Sequence, residues 1–366
     1  MTDGFDFDAL RGIGLGGTQR QDLQSREWPP AQFPARVAEV QRDRLLLHDG
    51  RALAPANVCG ALLRQFEADD DALAAGDWVV ASAETPAAWQ VLARLPRLNQ
   101  ITRRTNDGHH ASRRQALVAN IDTALLVMGL DHDFNLRRLE RYLALARLAG
   151  VPAVLVLTKA DTVDPGQREW RLTQVRDVLP PEVEAMALDG REPGVNLWLA
   201  PWLVAGQTLV LLGSSGAGKS TLTKTLVGAA LDGALPATGA VRGDDGRGRH
   251  TTSARTLYRT PAGACIIDTP GLRALRLDVD DGADLAVAFD DVARLAPQCR
   301  FRDCQHQQEP GCAVRQGVPD ERLRNFHKLL REAKRDRLTV LERQAQVAQW
   351  KARGRAAHLN RRARPR

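Results

Sequence analysis

No stretch of this 366-residue sequence approaches the roughly 18 to 20 uninterrupted apolar residues of a membrane span. Its opening, "MTDGFDFDAL", is acidic where a signal peptide is basic. The chain is therefore expected to remain in the cytoplasm. Cysteine is scarce, five in all. Cys59 and Cys265 stand alone among apolar neighbours and are expected in the core, whereas Cys299, Cys304 and Cys312 share one short window, which in a reducing compartment suggests metal. Acidic residues are missing from the final segment, "WKARGRAAHLNRRARPR" (350–366), which holds seven Lys or Arg and so accounts for the whole net charge of +7. Such a tail cannot bury enough apolar surface to fold, and its charge makes it a hook for phosphate backbones; the plainer alternative is a tail that only solubilises.

What remains is ordinary globular protein, 43% apolar and long enough for two or three domains. Residues 1–34 lack periodicity and carry turn formers such as "WPPAQFP", which suggests a mobile N-terminal arm. Over 35–100, short alternating apolar runs are separated by turns at Asp49-Gly50 and Gly76-Asp77, a pattern that suits a five-stranded barrel of the OB type. A basic linker, "RRTNDGHHASRRQ", lies within 101–116. From 117 to 284, strand-like and helix-like segments alternate ("IDTALLVMGL", "LRRLERYLALARLAG", "VPAVLVLTKAD"), as in a parallel α/β sheet. The region 285–349 holds the cysteine window and a charged amphipathic helix or helix pair.

The strongest motif is Gly213-Ser214-Ser215-Gly216-Ala217-Gly218-Lys219-Ser220, followed by Thr221, between the strand-like "TLVLLG" and the helix-compatible "TLTKTLVGAA". Its glycines let backbone N–H groups wrap phosphates at a helix N-terminus; Lys219 is expected on the β and γ phosphates and Ser220 on Mg²⁺. Downstream, "GACIID" runs into Asp268-Thr269-Pro270-Gly271, where Asp268 can orient water on Mg²⁺ and the Gly271 N–H can meet the γ phosphate. Thr251 and Thr252 in "DDGRGRHTTSAR" are further Mg²⁺ candidates, although a plain surface loop would look similar. Upstream, "VLVLTKAD" ends a strand in a base-reading pattern. Asp161 can accept from both the ring N–H and the amine of guanine, while adenine presents an acceptor at the ring position, so GTP is favoured over ATP. Lys159 is expected over the base. Thr158 stands where such loops usually carry Asn, at a cost of about one hydrogen bond, roughly 1 kcal/mol. Finally, Cys299-x4-Cys304-x-His306-x5-Cys312 offers three thiolates and one imidazole, a closed structural shell for one Zn²⁺; a redox pair or unliganded core cysteines is the alternative. His327 and the pair His109-His110 suggest no role.

The base-reading half precedes the phosphate-binding half, an order that a parallel sheet tolerates because loops at the carboxyl ends of strands keep their places when connections change. With "ANID", "TKAD", "GSSGAGKST", "GRGRHTT", "DTPG" and "CRFRDCQHQQEPGC" in this order over residues 35–330, the sequence resembles the circularly permuted GTPases called ribosome small subunit-dependent GTPase A. The resemblance implies GTP hydrolysis stimulated by the small ribosomal subunit during its late maturation, rRNA as a partner, and a monomer. Two features depart from the family pattern: Thr158, and "AMALDG" (185–190) in place of the Ser-Ala loop behind the guanine. The other readings are an ATPase or kinase, which Asp161 argues against, and an RNA-binding or RNA-chaperone module with weak or vestigial GTPase activity.

Many GTPases place Gln directly after the Asp-x-x-Gly loop to orient the attacking water; here that residue is Leu272. His250, beside Thr251 and Thr252, is the nearest polar candidate to replace it, the alternatives being rRNA itself or a neighbouring arginine. If the histidine acts, His250→Ala lowers subunit-stimulated kcat by about 10²-fold or more while GTP affinity holds. Single-turnover hydrolysis on saturating small subunits decides it, and near-wild-type stimulation removes His250 from the mechanism.

Overall fold

A computed structural model describes residues 5–41, 44–85, 88–105, 113–228, 255–269, 285–286 and 288–337. The chain separates into two compact units, Met1–Thr102 with Ala116–Leu275, and Arg103–Gln115 with Arg276–Arg366.

The first unit begins with two short helices, α1 (Phe7–Arg11) and α2 (Gly17–Ser25). The expected mobile arm is corrected here over its described part. Asp6 caps α1 by accepting from the Ala9 N–H, and Leu10, Ile13, Leu15 and Leu23 are buried. These residues follow no helical or strand period because the chain turns sharply between them. At Gly14 φ is +87° and an added Cβ would lie 1.9 Å from the Arg36 guanidinium, so only glycine fits.

Five strands follow: β1 (Gln32–Gln41), β2 (Arg44–His48), β3 (Leu53–Val58), then helix α3 (Gly60–Asp69), β4 (Trp78–Thr85) and β5 (Ala88–Arg94). They pair in the order β1-β2-β3-β5-β4, and β4 returns to β1 to close the barrel. All neighbours are antiparallel except β3 and β5, which is the connectivity of an OB barrel. Val37, Leu47, Val79, Ala81, Trp89 and Val91 fill the interior, and α3 adds Leu62 and Phe66. The basic segment expected as a linker over 101–116 is largely strand at its ends: β6 (Gln100–Thr105) and β7 (Arg113–Ala119) form a separate two-stranded sheet.

The α/β part comprises β8 (Thr123–Gly129), α4 (Leu136–Leu148), β9 (Ala153–Thr158), α5 (Pro165–Arg176), β10 (Glu184–Ala187), α6 (Val195–Trp198), β11 (Thr208–Gly213), α7 (Lys219–Val227), β12 (Arg255–Arg259) and β13 (Cys265–Asp268). Strands β10-β9-β8-β11-β13 run parallel. β8 and β11 are buried at every position, as central strands covered on both faces must be, which is why they appear in the sequence as unbroken apolar runs. Asn135 and Asp164 cap α4 and α5 from their N-terminal ends.

Barrel and α/β part share one eleven-stranded sheet. β1 changes register between Val37 and Glu39, and its far end pairs with β12 at Glu39↔Thr256 and Val40↔Arg255. Glu39 also accepts from the Thr256 hydroxyl at 3.0 Å. Beside this seam lies Arg36, fully buried. It donates to Ile13 O (2.6 Å), Gly76 O (3.2 Å), Asn120 O (3.0 Å) and Thr208 Oγ1 (2.7 Å), and stacks on Trp78. Burial pushes its pKa below the ordinary arginine value. Asn120, from the "ANID" stretch, has φ of +56° and spends its amide on Gly76 O and Leu98 N, so that motif is architectural.

In the second unit, α8 (Asp290–Leu295), α9 (Ala313–Gly317) and α10 (Asp320–Arg337) surround the cysteine window. Arg322 of α10 clamps Asp291 of α8 through two bonds and lies over Phe289, which meets Phe326 edge to face.

Replacing Arg36 by Met strands the Ile13 and Asn120 carbonyls and the Thr208 hydroxyl in a dry interior, whereas Gly76 O keeps the Asn120 amide; each lost partner costs about 1 to 3 kcal/mol before relaxation. Chemical denaturation of Arg36→Met is expected to give a loss on the order of 3 kcal/mol or more. Arg36→Lys recovers only part of it, because an ammonium lacks the fork that reaches four acceptors. A loss under about 1 kcal/mol would show that the junction does not need the guanidinium.

Candidate functional site

The carboxyl ends of the parallel strands converge on one edge of the sheet, the expected location for a nucleotide in such a fold. β11 delivers the P-loop there. At Gly213 an added Cβ would lie 2.4 Å from Val127 O on the neighbouring strand, and at Gly218, where φ is +97°, it would lie 2.9 Å from Thr158 Oγ1. These two glycines are thus required by the strand and by the adjoining loop. α7 starts at Lys219, whose ammonium arches back onto the carbonyls of Gly213 (2.8 Å) and Ser214 (2.7 Å). Burial lowers the Lys219 pKa, while the carboxylates of Asp268 and Asp133 counteract that. Ser215, Gly216, Ser220 and Thr221 are exposed at the mouth, and Ala217 is buried beneath them.

Thr158 ends β9. Its hydroxyl donates to Ala217 O at 2.5 Å, tying the base-reading loop to the P-loop. Next to it, Lys159 has φ of +59° and pairs with Asp131 at 2.7 Å. Burial works against the Asp131 carboxylate, but hydrogen bonds from Lys159 and the Asp133 N–H hold its pKa below the usual value. Asp161 lies on the following single turn, and its Oδ2 accepts from Arg191 at 2.7 Å. On the other side of the P-loop, Asp268 ends β13. Burial pushes its carboxyl up, and Lys219 and the Thr269 N–H offset this only in part. Thr269 bonds back to Leu211 O at 2.7 Å.

The structure therefore brings Thr158, Lys159, Asp161, the P-loop from Gly213 to Thr221, and Asp268 to one sheet edge. His250, Thr251, Thr252 and Gly271 lie outside the described residues. Three residues that the sequence reading passed over belong to this edge. Asp133 accepts from the Gly129 N–H, from Arg138 and from the Ser214 hydroxyl, bracing the P-loop from the β8 side. Asp131 braces Lys159, and Arg191 covers Asp161. The available signal was position: Asp131 and Asp133 directly follow an all-apolar strand, and Arg191 directly follows "AMALDG".

In the second unit, Cys299, Cys304, His306 and Cys312 offer four ligand atoms, all within 4.8 Å of one another. His306 Nδ1 lies 3.5 Å from the sulfurs of Cys299 and Cys312, which are 3.9 Å apart. A tetrahedral zinc with metal–sulfur bonds of about 2.3 Å and metal–nitrogen bonds of about 2.0 Å would need nitrogen–sulfur and sulfur–sulfur separations of about 3.5 and 3.8 Å. The donor set fits. Glu309 accepts from the N–H groups of Gln305, Gln307 and Gln308, bracing the turn in which His306 sits at φ +58°. Those backbone bonds hold the Glu309 carboxyl down at about 2. His327, for which no role was expected, meets His306 O at 3.0 Å through Nε2. Without metal, burial and hydrogen bonds to its sulfur neighbours push the Cys304 thiol up to about 12.

Chelating metal from the purified protein is expected to unmask three thiols together, with proton uptake on zinc removal. Cys265, wholly buried and pushed up to about 11, should react only on unfolding. A thiol titration unaltered by chelator would show that the cluster holds no metal.

Residues 94–278 match the family model described as RsgA GTPase. The chain is 40% identical over 338 residues to the small ribosomal subunit biogenesis GTPase RsgA of Xanthomonas axonopodis pv. citri, covering 89% of each chain. Its counterpart in Xanthomonas campestris pv. campestris strain B100 is 42% identical over 307 residues, covering 82% of this chain and 80% of the relative. Among solved structures, the fold is similar to YjeQ from Thermotoga maritima (TM-score 0.60, 20% identity, 82% of this chain and 98% of that one). It is also similar to YloQ, a circularly permuted GTPase (TM-score 0.57, 19% identity, 84% and 98%). Over nearly its whole length, then, this chain belongs to the RsgA family of circularly permuted GTPases.

Proposed function

We propose that the protein is a Mg²⁺-dependent GTP hydrolase that acts on the small ribosomal subunit late in its maturation. The Xanthomonas relatives carry small-subunit biogenesis in their names, and a similarity that spans 89% of this chain supports the same partner here. The observation that carries the nucleotide reading is the bond from Thr158 to Ala217, because it makes one site of two loops that the chain presents in reversed order.

The roles follow from the chemistry of each group. Backbone N–H groups from Gly213 to Ser220 wrap the phosphates at the start of α7, where the helix dipole favours anions. Lys219 exchanges two loop carbonyls for β and γ oxygens. Asp161 accepts from guanine's N–H and amine, and Lys159, braced by Asp131, lies against the base. Thr158 has committed its hydroxyl proton to the P-loop and has no donor to spare for the nucleotide. Ser220 and Asp268 would hold Mg²⁺, with Thr251 or Thr252 as a further ligand. The metal, when bound, neutralises charge that builds on the phosphates, and Asp268, whose burial disfavours its charge, is suited to a cationic neighbour. Gly271 would offer its N–H to the γ phosphate. Leu272 leaves placement of the attacking water to His250, to rRNA or to a neighbouring arginine. The Cys₃His cluster would hold one Zn²⁺ with no open position, hence structurally. The tail at 350–366 adds salt-dependent grip on rRNA. Among the described residues no helix is long and apolar enough to cross a membrane. The likeness to small-subunit biogenesis GTPases supports the cytoplasm as the site of action, and we assign the protein as a monomer.

The test is hydrolysis of GTP and ATP with and without purified small subunits. GTP turnover that rises on adding subunits, with ATP left untouched, is the expected result. Tight rRNA binding without subunit-stimulated turnover would instead make the protein an RNA-binding module with a vestigial GTPase.

A further inference from the structure

Arg191 has no part in the reading above, yet it occupies the most specific position in the site. Its Nη2 donates to Asp161 Oδ2 at 2.7 Å and to Asp189 Oδ2 at 2.9 Å, while Nε reaches Asp189 Oδ1 at 3.0 Å. A guanidinium and the edge of guanine present the same thing to a carboxylate: adjacent N–H donors in one plane. Arg191 uses one such donor on one Asp161 oxygen, so guanine, whose two donors call on both oxygens, competes with it for Oδ2.

We propose that Arg191 is an internal stand-in for the guanine edge, a residue that sets guanine-nucleotide affinity by occupying Asp161 until the base displaces it. The proposal rests on Asp161 being the base-reading residue. Asp189 gives the displaced guanidinium a second anchor: two of the three bonds above go to Asp189, and hydrogen bonds from Arg191 hold that carboxyl's pKa down. Displacement therefore breaks one contact and leaves the arginine docked. Since Arg191 is 66% exposed and Asp161 38% exposed, the contact is a solvent-screened one and the effect is modest, about two- to five-fold in affinity. It is also confined to the free protein. Removing it must raise the association rate for guanine nucleotides and leave the dissociation rate unchanged, whereas losing a contact to bound nucleotide would do the reverse.

The experiment measures association and dissociation of fluorescent GDP on wild type, Arg191→Ala and Asp161→Asn, with xanthosine diphosphate as a second ligand. Arg191→Ala is expected to bind GDP about two- to five-fold more tightly through faster association, with the advantage shrinking as salt screens the wild-type pair. In the Asp161→Asn background, where xanthosine diphosphate becomes the preferred ligand because the amide opposes a carbonyl, adding Arg191→Ala in a double variant should have a smaller effect, since a neutral amide oxygen holds the guanidinium less strongly than a carboxylate. Unchanged GDP binding by Arg191→Ala, or faster dissociation, overturns the stand-in role while leaving the base reading intact. Retained guanine preference in Asp161→Asn would instead remove Asp161 from the base site, and the proposal with it.

Discussion

The first unit is organised around one buried cation. Arg36 is wholly buried, with no carboxylate among its direct hydrogen-bond partners, and its guanidinium is satisfied by three backbone carbonyls and a hydroxyl drawn from four separate segments: the N-terminal turn at Ile13, the barrel corner at Gly76, the "ANID" stretch at Asn120, and Thr208 at the start of β11. A charge in a dry interior is tolerated only when such partners are fixed in place. That requirement runs in both directions, since among the described residues only Gly76 O, of the three carbonyls, has a second donor, the Asn120 amide. Hence Gly14 cannot carry a side chain, Asn120 adopts a left-handed backbone, and the strand that feeds the P-loop starts at a defined point against the barrel.

At the opposite end of β11 the same logic operates through side-chain ties. Thr158 holds Ala217, Asp133 holds Ser214, and Lys219 holds the carbonyls before it. Each loop of the nucleotide site is braced by a loop from a different strand, so chain order is irrelevant to its integrity. Reordering the segments alters which connections cross the sheet and leaves these lateral ties in place.

Much of this was legible in the sequence, for identifiable reasons. The P-loop, Asp161, Asp268 and the Cys₃His spacing are short local patterns whose chemistry fixes their residue types. β8 and β11 were legible because full burial demands unbroken apolar runs. The N-terminal segment was misjudged because its buried residues, Leu10, Ile13, Leu15 and Leu23, sit on turns and short helices and so follow no period. Arg36 was invisible: an arginine in a strand looks like a surface residue until its four acceptors, spread from Ile13 to Thr208, are brought together. Asp133, Asp131 and Arg191 escaped for the same reason, being single polar side chains whose meaning lies in a partner distant in sequence.

The length of β1 has a consequence for dissecting the molecule. Its first half closes the barrel against β4, and its second half covers β12. A fragment cut after the barrel would make β12 the border of the remaining sheet, with backbone donors and acceptors beside Thr256 left open to whatever strand comes next. Such a border recruits other chains as readily as it accepted β1. Clumping of a barrel-less fragment would then report an uncovered sheet margin and say little about the intrinsic stability of its nucleotide pocket.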